Sequence, residues 1–231
     1  MPRNGHPPRP RGVIFDLDGT LADSLEDIAS AMNRTLAAYR FPAHPVPDYR
    51  TFVGEGLRKL VERALPAGTE GIQERFLATY QADYAEHLLD STRLFPGIPE
   101  VLDALQLAGV PVAVLSNKFD QPTRRLVDAL CGRWTIRAVF GERPGVPRKP
   151  DPTSALALAD ALGAPPESVT FVGDTGVDIL TARAASMRPV GVLWGFRPKE
   201  VLASGAEMAS TGPELAQLLG VDGASPAGSR P

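Results

Sequence analysis

Val13-Ile14-Phe15-Asp16-Leu17-Asp18-Gly19-Thr20 is the stretch from which the rest of this chain can be read. Its apolar start reads as a buried strand, and Asp-Gly ends that strand in a turn. Asp16 and Asp18 lie two residues apart, so an extended backbone carries both carboxylates to the same side. Three more short apolar runs, at 112–115, 169–172 and 190–193, share the design, and Val139-Phe140 marks a short fifth strand. Two of these runs also end in polar clusters, Ser116-Asn117-Lys118 and Gly173-Asp174-Thr175-Gly176-Val177-Asp178. Helical patterns at 98–107, 122–130, 153–162, 177–185 and 214–219 fill the intervals, several opened by Pro and closed by Gly. Strands alternating with helices predict an α/β fold with a parallel sheet. Such sheets bind ligands beyond the carboxyl ends of their strands, where all three polar clusters fall.

The alternation breaks at 23–91. There, three helical patterns follow one another with no strand between them: Leu25, Ile28, Ala29, Met32, Leu36 and Tyr39 share one face, Leu57, Leu60, Val61 and Leu65 a second, and Ile72, Phe76, Tyr80 and Leu88 a third. This predicts a small helical domain inserted after the first strand, with hinges at its two junctions. The core is then 12–22 together with 92–222. The ends, 1–11 and 223–231, are rich in Pro, Gly, Ser and Arg and read as disordered tails.

Composition narrows the function. The 231 residues are 43% hydrophobic and 22% charged, as expected of a globular chain with a sizeable core. The net charge of −3 gives no support to binding nucleic acid or a membrane surface, and no apolar run is long enough to span a bilayer. A single cysteine, Cys131, excludes an internal disulfide framework, and the N-terminal stretch lacks the apolar segment of a secretory signal. The expected setting is cytoplasmic, as a monomer or homodimer. Lysine occurs only at 59, 118, 149 and 199 against a background of arginine, so each lysine carries more information. Lys149 stands out in Arg148-Lys149-Pro150-Asp151-Pro152; Lys118 reads as a neighbour of its motif.

Asp16, Asp18 and Asp174 bring carboxylates close to one point, and like charges at that distance require a cation. An all-oxygen set without His or Cys favours Mg²⁺. Ser116, Asn117 and Lys149 supply hydroxyl, amide and ammonium donors to an anion. Carboxylates, a metal and anion donors together read as phosphoryl chemistry.

Four motifs in order, Asp-Leu-Asp-Gly-Thr, Ser-Asn, Lys-Pro-Asp-Pro and Gly-Asp-Thr with Asp178, resemble the haloacid dehalogenase superfamily from residue 12 to 219. Phe52-Val53-Gly54-Glu55-Gly56-Leu57, Leu94-Phe95-Pro96-Gly97 and Trp194-Gly195-Phe196-Arg197 are most similar to its bacterial phosphoglycolate phosphatases. The resemblance implies a Rossmann-like core, a helical cap and Mg²⁺-dependent hydrolysis of a small phosphorylated metabolite. It makes Asp16 the nucleophile and Asp18 the acid and base. The metal falls to the Asp16 carboxylate, the Asp18 carbonyl and the Asp174 carboxylate, and the phosphate to Ser116, Asn117 and Lys149. Thr20 and Asp178 stand behind them, Asp178 orienting metal-bound water.

In the cap, Gly54, Glu55, Gly56 and Arg58 are the candidate substrate contacts. Asp18 speaks against a dehalogenase, whose halide leaves unprotonated. The absence of a histidine soon after the first motif speaks against a hexose-phosphate mutase. A pyrophosphatase, another small-metabolite phosphatase and a non-catalytic binding protein on the same fold remain as alternatives.

Overall fold

The computed structural model describes residues 9–222. The expected disordered ends lie outside the described residues except at 9–11. There, Arg9 donates from Nε to the Gly220 carbonyl, and Pro10 is buried.

The chain opens with β1 (Gly12–Phe15) and the two-residue β2 (Ala22–Asp23), then enters α1 (Leu25–Ala38), α2 (Tyr49–Phe52), α3 (Leu57–Ala64) and α4 (Gln73–His87). It returns through β3 (Arg93–Leu94) to α5 (Ile98–Leu107), β4 (Val112–Phe119), α6 (Asp120–Cys131) and β5 (Ile136–Glu142). The last part runs α7 (Thr153–Leu162), β6 (Val169–Gly173), α8 (Gly176–Ala184), β7 (Arg188–Val192), α9 (Pro198–Ser204), β8 (Glu207–Ala209) and α10 (Gly212–Leu218).

Six strands form one sheet in the order β5-β4-β1-β6-β7-β8, each neighbouring pair parallel. Every residue of β1 and β6 is buried, because helices cover both faces of the sheet. Side chains alternate accordingly. Val13 and Phe15 join the core shared with α5 and the inserted helices, whereas Ile14 packs with Leu158 of α7 and Phe171 on the opposite face. The chain builds outward from β1 to β4 and β5, then crosses back to β6, β7 and β8. The order therefore reverses beside β1, the position where open α/β sheets form a crevice.

The insertion expected at 23–91 is helical. Helix α1 buries Leu25, Ile28, Ala29, Met32 and Leu36 on one face, and α4 packs against it with Phe76, Tyr80 and Tyr84 buried. The two junctions are bound to each other: β2 pairs antiparallel with β3, Ala22 opposite Leu94 and Asp23 opposite Arg93. Asp27, buried in the first turn of α1, accepts hydrogen bonds from the Ser91 and Thr92 amides and from the Thr92 hydroxyl, at 2.6–3.0 Å.

Some elements differ from expectation. Strand β7 begins at Arg188, and α9, β8 and the β2–β3 ribbon were not foreseen. Replacing Asp27 with Ala would orphan a group of buried donors. The expected cost is about 2–3 kcal/mol of unfolding free energy, read from urea denaturation; an unchanged midpoint would show that the junction does not depend on this carboxylate.

Candidate active site

Asp16 and Asp174, just past β1 and β6, and Ser116, midway along β4 where its pairing with β5 shifts, surround one buried point. Asp16 is fixed by its own amide, which donates to the Val172 carbonyl at 2.9 Å. Lys149 arrives from the segment before α7. Its ammonium donates to Asp16 Oδ1 at 2.7 Å, Asp178 Oδ1 at 2.6 Å and the Leu115 carbonyl at 3.1 Å. All three of its protons are thereby used.

Asp178 sits in the first turn of α8 within a capping box. Its Oδ2 accepts from the Thr175 amide at 3.1 Å and the Thr175 hydroxyl at 2.7 Å. Both Asp178 oxygens thus have partners, Oδ1 the Lys149 ammonium and Oδ2 Thr175. Asp174 accepts from Thr20 Oγ1 at 3.2 Å and from the Phe196 amide at 2.7 Å. Gly19, at φ 88°, packs directly on this carboxylate: a Cβ there would lie 2.3 Å from Asp174 Oδ2.

Oxygens of Asp16, Asp174 and Asp178 lie within 4.8 Å of one another, all three residues buried. Burial pushes the Asp16 carboxyl up to about 7, although the Lys149 ammonium works to lower it. Burial also drives Asp174 well above the usual carboxylate range, with Asp16 and Asp178 adding repulsion. Burial works to lower the Lys149 pKa, but Asp16 and Asp178 outweigh it and hold the group above the ordinary lysine value. Three carboxylates against one ammonium leave an excess of buried negative charge. A hard divalent cation is its chemical complement, so the residues present fit a metal site.

The second carboxylate, Asp18, is held from two sides. Ser24 Oγ donates to its Oδ1, and Lys118 Nζ lies 3.0 Å from both oxygens. Lys118, read from sequence as a mere neighbour, is thus in direct contact with a candidate acid and base. It also lies 4.7 Å from the centre of the Tyr84 ring. The scarcity of lysine that singled out Lys149 applied to it equally.

Above these groups is a cavity of about 500 Å³ between the core and the helical insertion, bordered by Asp16, Asp18, Ser116, Lys118 and Lys149. Ser116 Oγ accepts from the Lys118 amide at 3.1 Å, which leaves its own proton available to a ligand. Asn117 does not have a free side chain: Nδ2 donates to the Gly54 and Lys149 carbonyls, and Oδ1 accepts from the Lys149 amide. It ties the insertion to the core instead of offering its amide to an anion.

The four residues singled out in the insertion separate. Gly54 and Gly56 border the cavity. Glu55 pairs with Arg63 at 2.5 Å and Arg197 at 3.5 Å and does not border it. Arg58 is exposed, pairs with Glu74 and faces away. Arginines to which the sequence assigns no role seat the insertion. Arg197 donates to the Thr51 and Val53 carbonyls, Arg50 to the Gly195 carbonyl, and Arg148 to the Glu55 carbonyl.

A parallel sheet with an inserted helical unit, and an aspartate just past the first strand beside a lysine and further carboxylates, define a class of hydrolase. This chain belongs to the haloacid dehalogenase-like hydrolases, whose family model matches residues 10–186, and it is a phosphatase. It is 32% identical over 186 residues to the phosphoglycolate phosphatase of Aquifex aeolicus, spanning 80% of this chain and 86% of that one. It is 35% identical over 203 residues to phosphoglycolate phosphatase 1 of Pseudomonas aeruginosa, spanning 85% and 74%. A solved structure from Haemophilus somnus, described as a predicted phosphoglycolate phosphatase, superposes with a TM-score of 0.84 at 26% identity, covering 90% of this chain and 97% of that one. No helix among the described residues is long and apolar enough to cross a membrane.

A raised carboxyl pKa links this site to stability. Folded Asp16 holds its proton up to about 7, against the ordinary 3.8 of an aspartate, so its contribution is full below 3.8 and is lost as pH rises through about 7. In EDTA, Asp16→Asn should therefore gain thermal stability over the parent chain between about pH 5.5 and pH 8. A difference that stays constant across that range would contradict the buried-charge assignment. A cation bound at about a hundred times its dissociation constant should raise the parent Tm at pH 8 by about 5–10 °C.

Proposed function

We propose that this chain is a Mg²⁺-dependent phosphate monoester hydrolase that works through an aspartyl-phosphate on Asp16 and takes 2-phosphoglycolate as a substrate. The observation that carries the reading is the Asp16 carboxylate itself. Lys149 fixes one oxygen, and the residue borders the same cavity as Asp18, two positions further on. The names of the relatives support the substrate.

Each residue has a part that its contacts support. Asp16 attacks phosphorus, and the ester oxygen leaves as the acyl-phosphate bond forms. Asp18 gives its proton to that leaving oxygen, then takes one from the water that attacks the intermediate. Lys149 keeps the Asp16 carboxylate oriented and balances charge on the phosphoryl oxygens, while Ser116 donates its hydroxyl proton to one of them. Asp178 keeps Lys149 in place, and Thr20 does the same for Asp174. Carboxylates of Asp16 and Asp174, with the Asp18 carbonyl, would hold Mg²⁺, which supplies positive charge beside the phosphoryl group. The segment 50–56, seated on the core by Arg197, Arg148 and Asn117, covers the crevice and limits the entry of water.

Asp16→Asn should abolish turnover, and rapid-quench labelling of the parent enzyme should place the phosphoryl group on Asp16. Label recovered on Ser116 would overturn the mechanism. Asp18→Asn should slow hydrolysis of alkyl phosphates by about 10²–10⁴-fold, the ordinary scale of general acid–base catalysis. The phosphorylation step should suffer less with p-nitrophenyl phosphate, whose leaving group needs little protonation; an equal loss for both would remove Asp18 as the acid. EDTA should stop activity and Mg²⁺ restore it.

A further inference from the structure

One loop touches both the floor of the active site and the segment that covers it. Leaving β7, residues 194–197 bond to Asp174 on one side and to the insertion on the other. On the floor side both Asp174 oxygens are engaged. The Phe196 amide donates to Oδ2 at 2.7 Å. The Trp194 indole donates to the Thr20 carbonyl at 3.1 Å, and the Thr20 hydroxyl donates in turn to Asp174 Oδ1 at 3.2 Å. Gly195 lies so close that a Cβ there would fall 2.2 Å from the Asp174 Cβ.

On the other side the next residue, Arg197, reaches the insertion. Its Nη2 donates to the Thr51 carbonyl at 3.0 Å and to the Val53 carbonyl at 2.6 Å. Both stand at the end of α2, where a helix leaves its last carbonyls without internal partners. Arg50 answers from the insertion by donating to the Gly195 carbonyl at 3.3 Å. Glu200, 3.1 Å from Nη1, holds the guanidinium, whose side chain is only 13% exposed.

We infer that Arg197 is a positioning residue that couples a cation at Asp174 to the seating of segment 50–56, so that filling the site tightens the cover and seating the cover tightens the site. The inference rests on the metal reading above and adds the route by which occupancy of that site reaches the insertion.

The coupling follows from the two uses of one carboxylate. Asp174 accepts from the loop and is also a candidate ligand. With one ammonium among the carboxylates of Asp16, Asp174 and Asp178, their mutual repulsion loosens the hold on Asp174. A cation would pin that carboxylate and with it the acceptor of the Phe196 amide, one residue before Arg197. Such coupling is reciprocal by linkage, so a change at the cover returns to the cation with the same factor. Asn117 and Arg148 also bond to the segment, at Gly54 and Glu55, but their hydrogen bonds run neither to Asp174 nor to the loop. They seat the cover; Arg197 links it to the floor.

The test titrates the full chain with MgCl₂ by calorimetry, without substrate, and follows hydrogen exchange of the amides at 50–56 with and without saturating Mg²⁺. Arg197→Ala should weaken Mg²⁺ binding by about fivefold or more, the lower end of ordinary coupling between sites. In the parent chain Mg²⁺ should slow exchange across 50–56 by a similar factor, and in Arg197→Ala it should not slow it. Arg197→Lys, which keeps a donor for one of the two carbonyls, should recover part of both effects. Arg148→Ala should speed exchange across 50–56 yet keep its slowing by Mg²⁺. Unchanged Mg²⁺ affinity in Arg197→Ala, or slowing by Mg²⁺ that persists there, would overturn the inference and leave the metal site standing. So would loss of that slowing in Arg148→Ala, or failure of Arg197→Lys to recover either effect, which would assign the loss to damage of the loop. A parent chain that binds no Mg²⁺ would bring down the metal reading and the inference together.

Discussion

The Lys149 ammonium, seated between Asp16 and Asp178, is the contact on which the site depends. Three buried carboxylates cannot share a space without compensation, and desolvation makes each of them more expensive to ionise. Lys149 supplies one positive charge and spends all three protons in doing so, two on carboxylates and one on the Leu115 carbonyl midway along β4. That geometry fixes the open side of Asp16 towards the cavity. It also leaves an excess of buried negative charge that a cation would relieve, so the arrangement that orients Asp16 also suits a metal.

The fold exists to bring these residues together from distant parts of the chain. Asp16 and Lys149 are separated by 133 positions, and Thr20 and Asp174 by 154. Only the reversal of strand order beside β1 makes the ends of β4, β1 and β6 neighbours. The helical insertion leaves the core immediately after the first motif and returns beside it, and the β2–β3 ribbon with Asp27 keeps both passages together. Arg197, Arg148 and Asn117 then seat the segment 50–56 over the crevice. The cover and the catalytic floor are thus joined by hydrogen bonds to backbone carbonyls, contacts that can be broken and remade without rearranging a core.

What could be read in the sequence follows from the range of each signal. The strand at 13–15 and the helices at 98–107 and 153–162 are set by local apolar patterning and by Pro and Gly at their ends, and their positions agree with the structure. The gathering of Asp16, Asp174 and Lys149 is legible because each follows or precedes such an element, but the third carboxylate of the cluster is Asp178 and not the expected Asp18. Elements held by distant partners were not: β2 and β3 have two residues each, and β8 is a three-residue edge strand with only Ala209 fully buried. An amide after a strand end suits an anion, which is where the sequence points Asn117; its bonds to Gly54 and Lys149 need the closed fold to be seen. Arg58 fell near the crevice by counting turns, yet α3 presents it to Glu74 and solvent. Arg148 and Arg197 stand inside quoted motifs, yet a composition in which arginine is common gives them no separate weight.

The most direct test of the account is a crystal structure of the full chain grown with Mg²⁺ and beryllium fluoride, a stable mimic of an acyl-phosphate. The account predicts beryllium bonded to the Asp16 carboxylate, with Mg²⁺ on Asp16 and Asp174 and with Lys149 and Ser116 against the fluorines. Beryllium bonded to another residue, or Lys149 displaced from Asp16 with the fluoride bound, would contradict it.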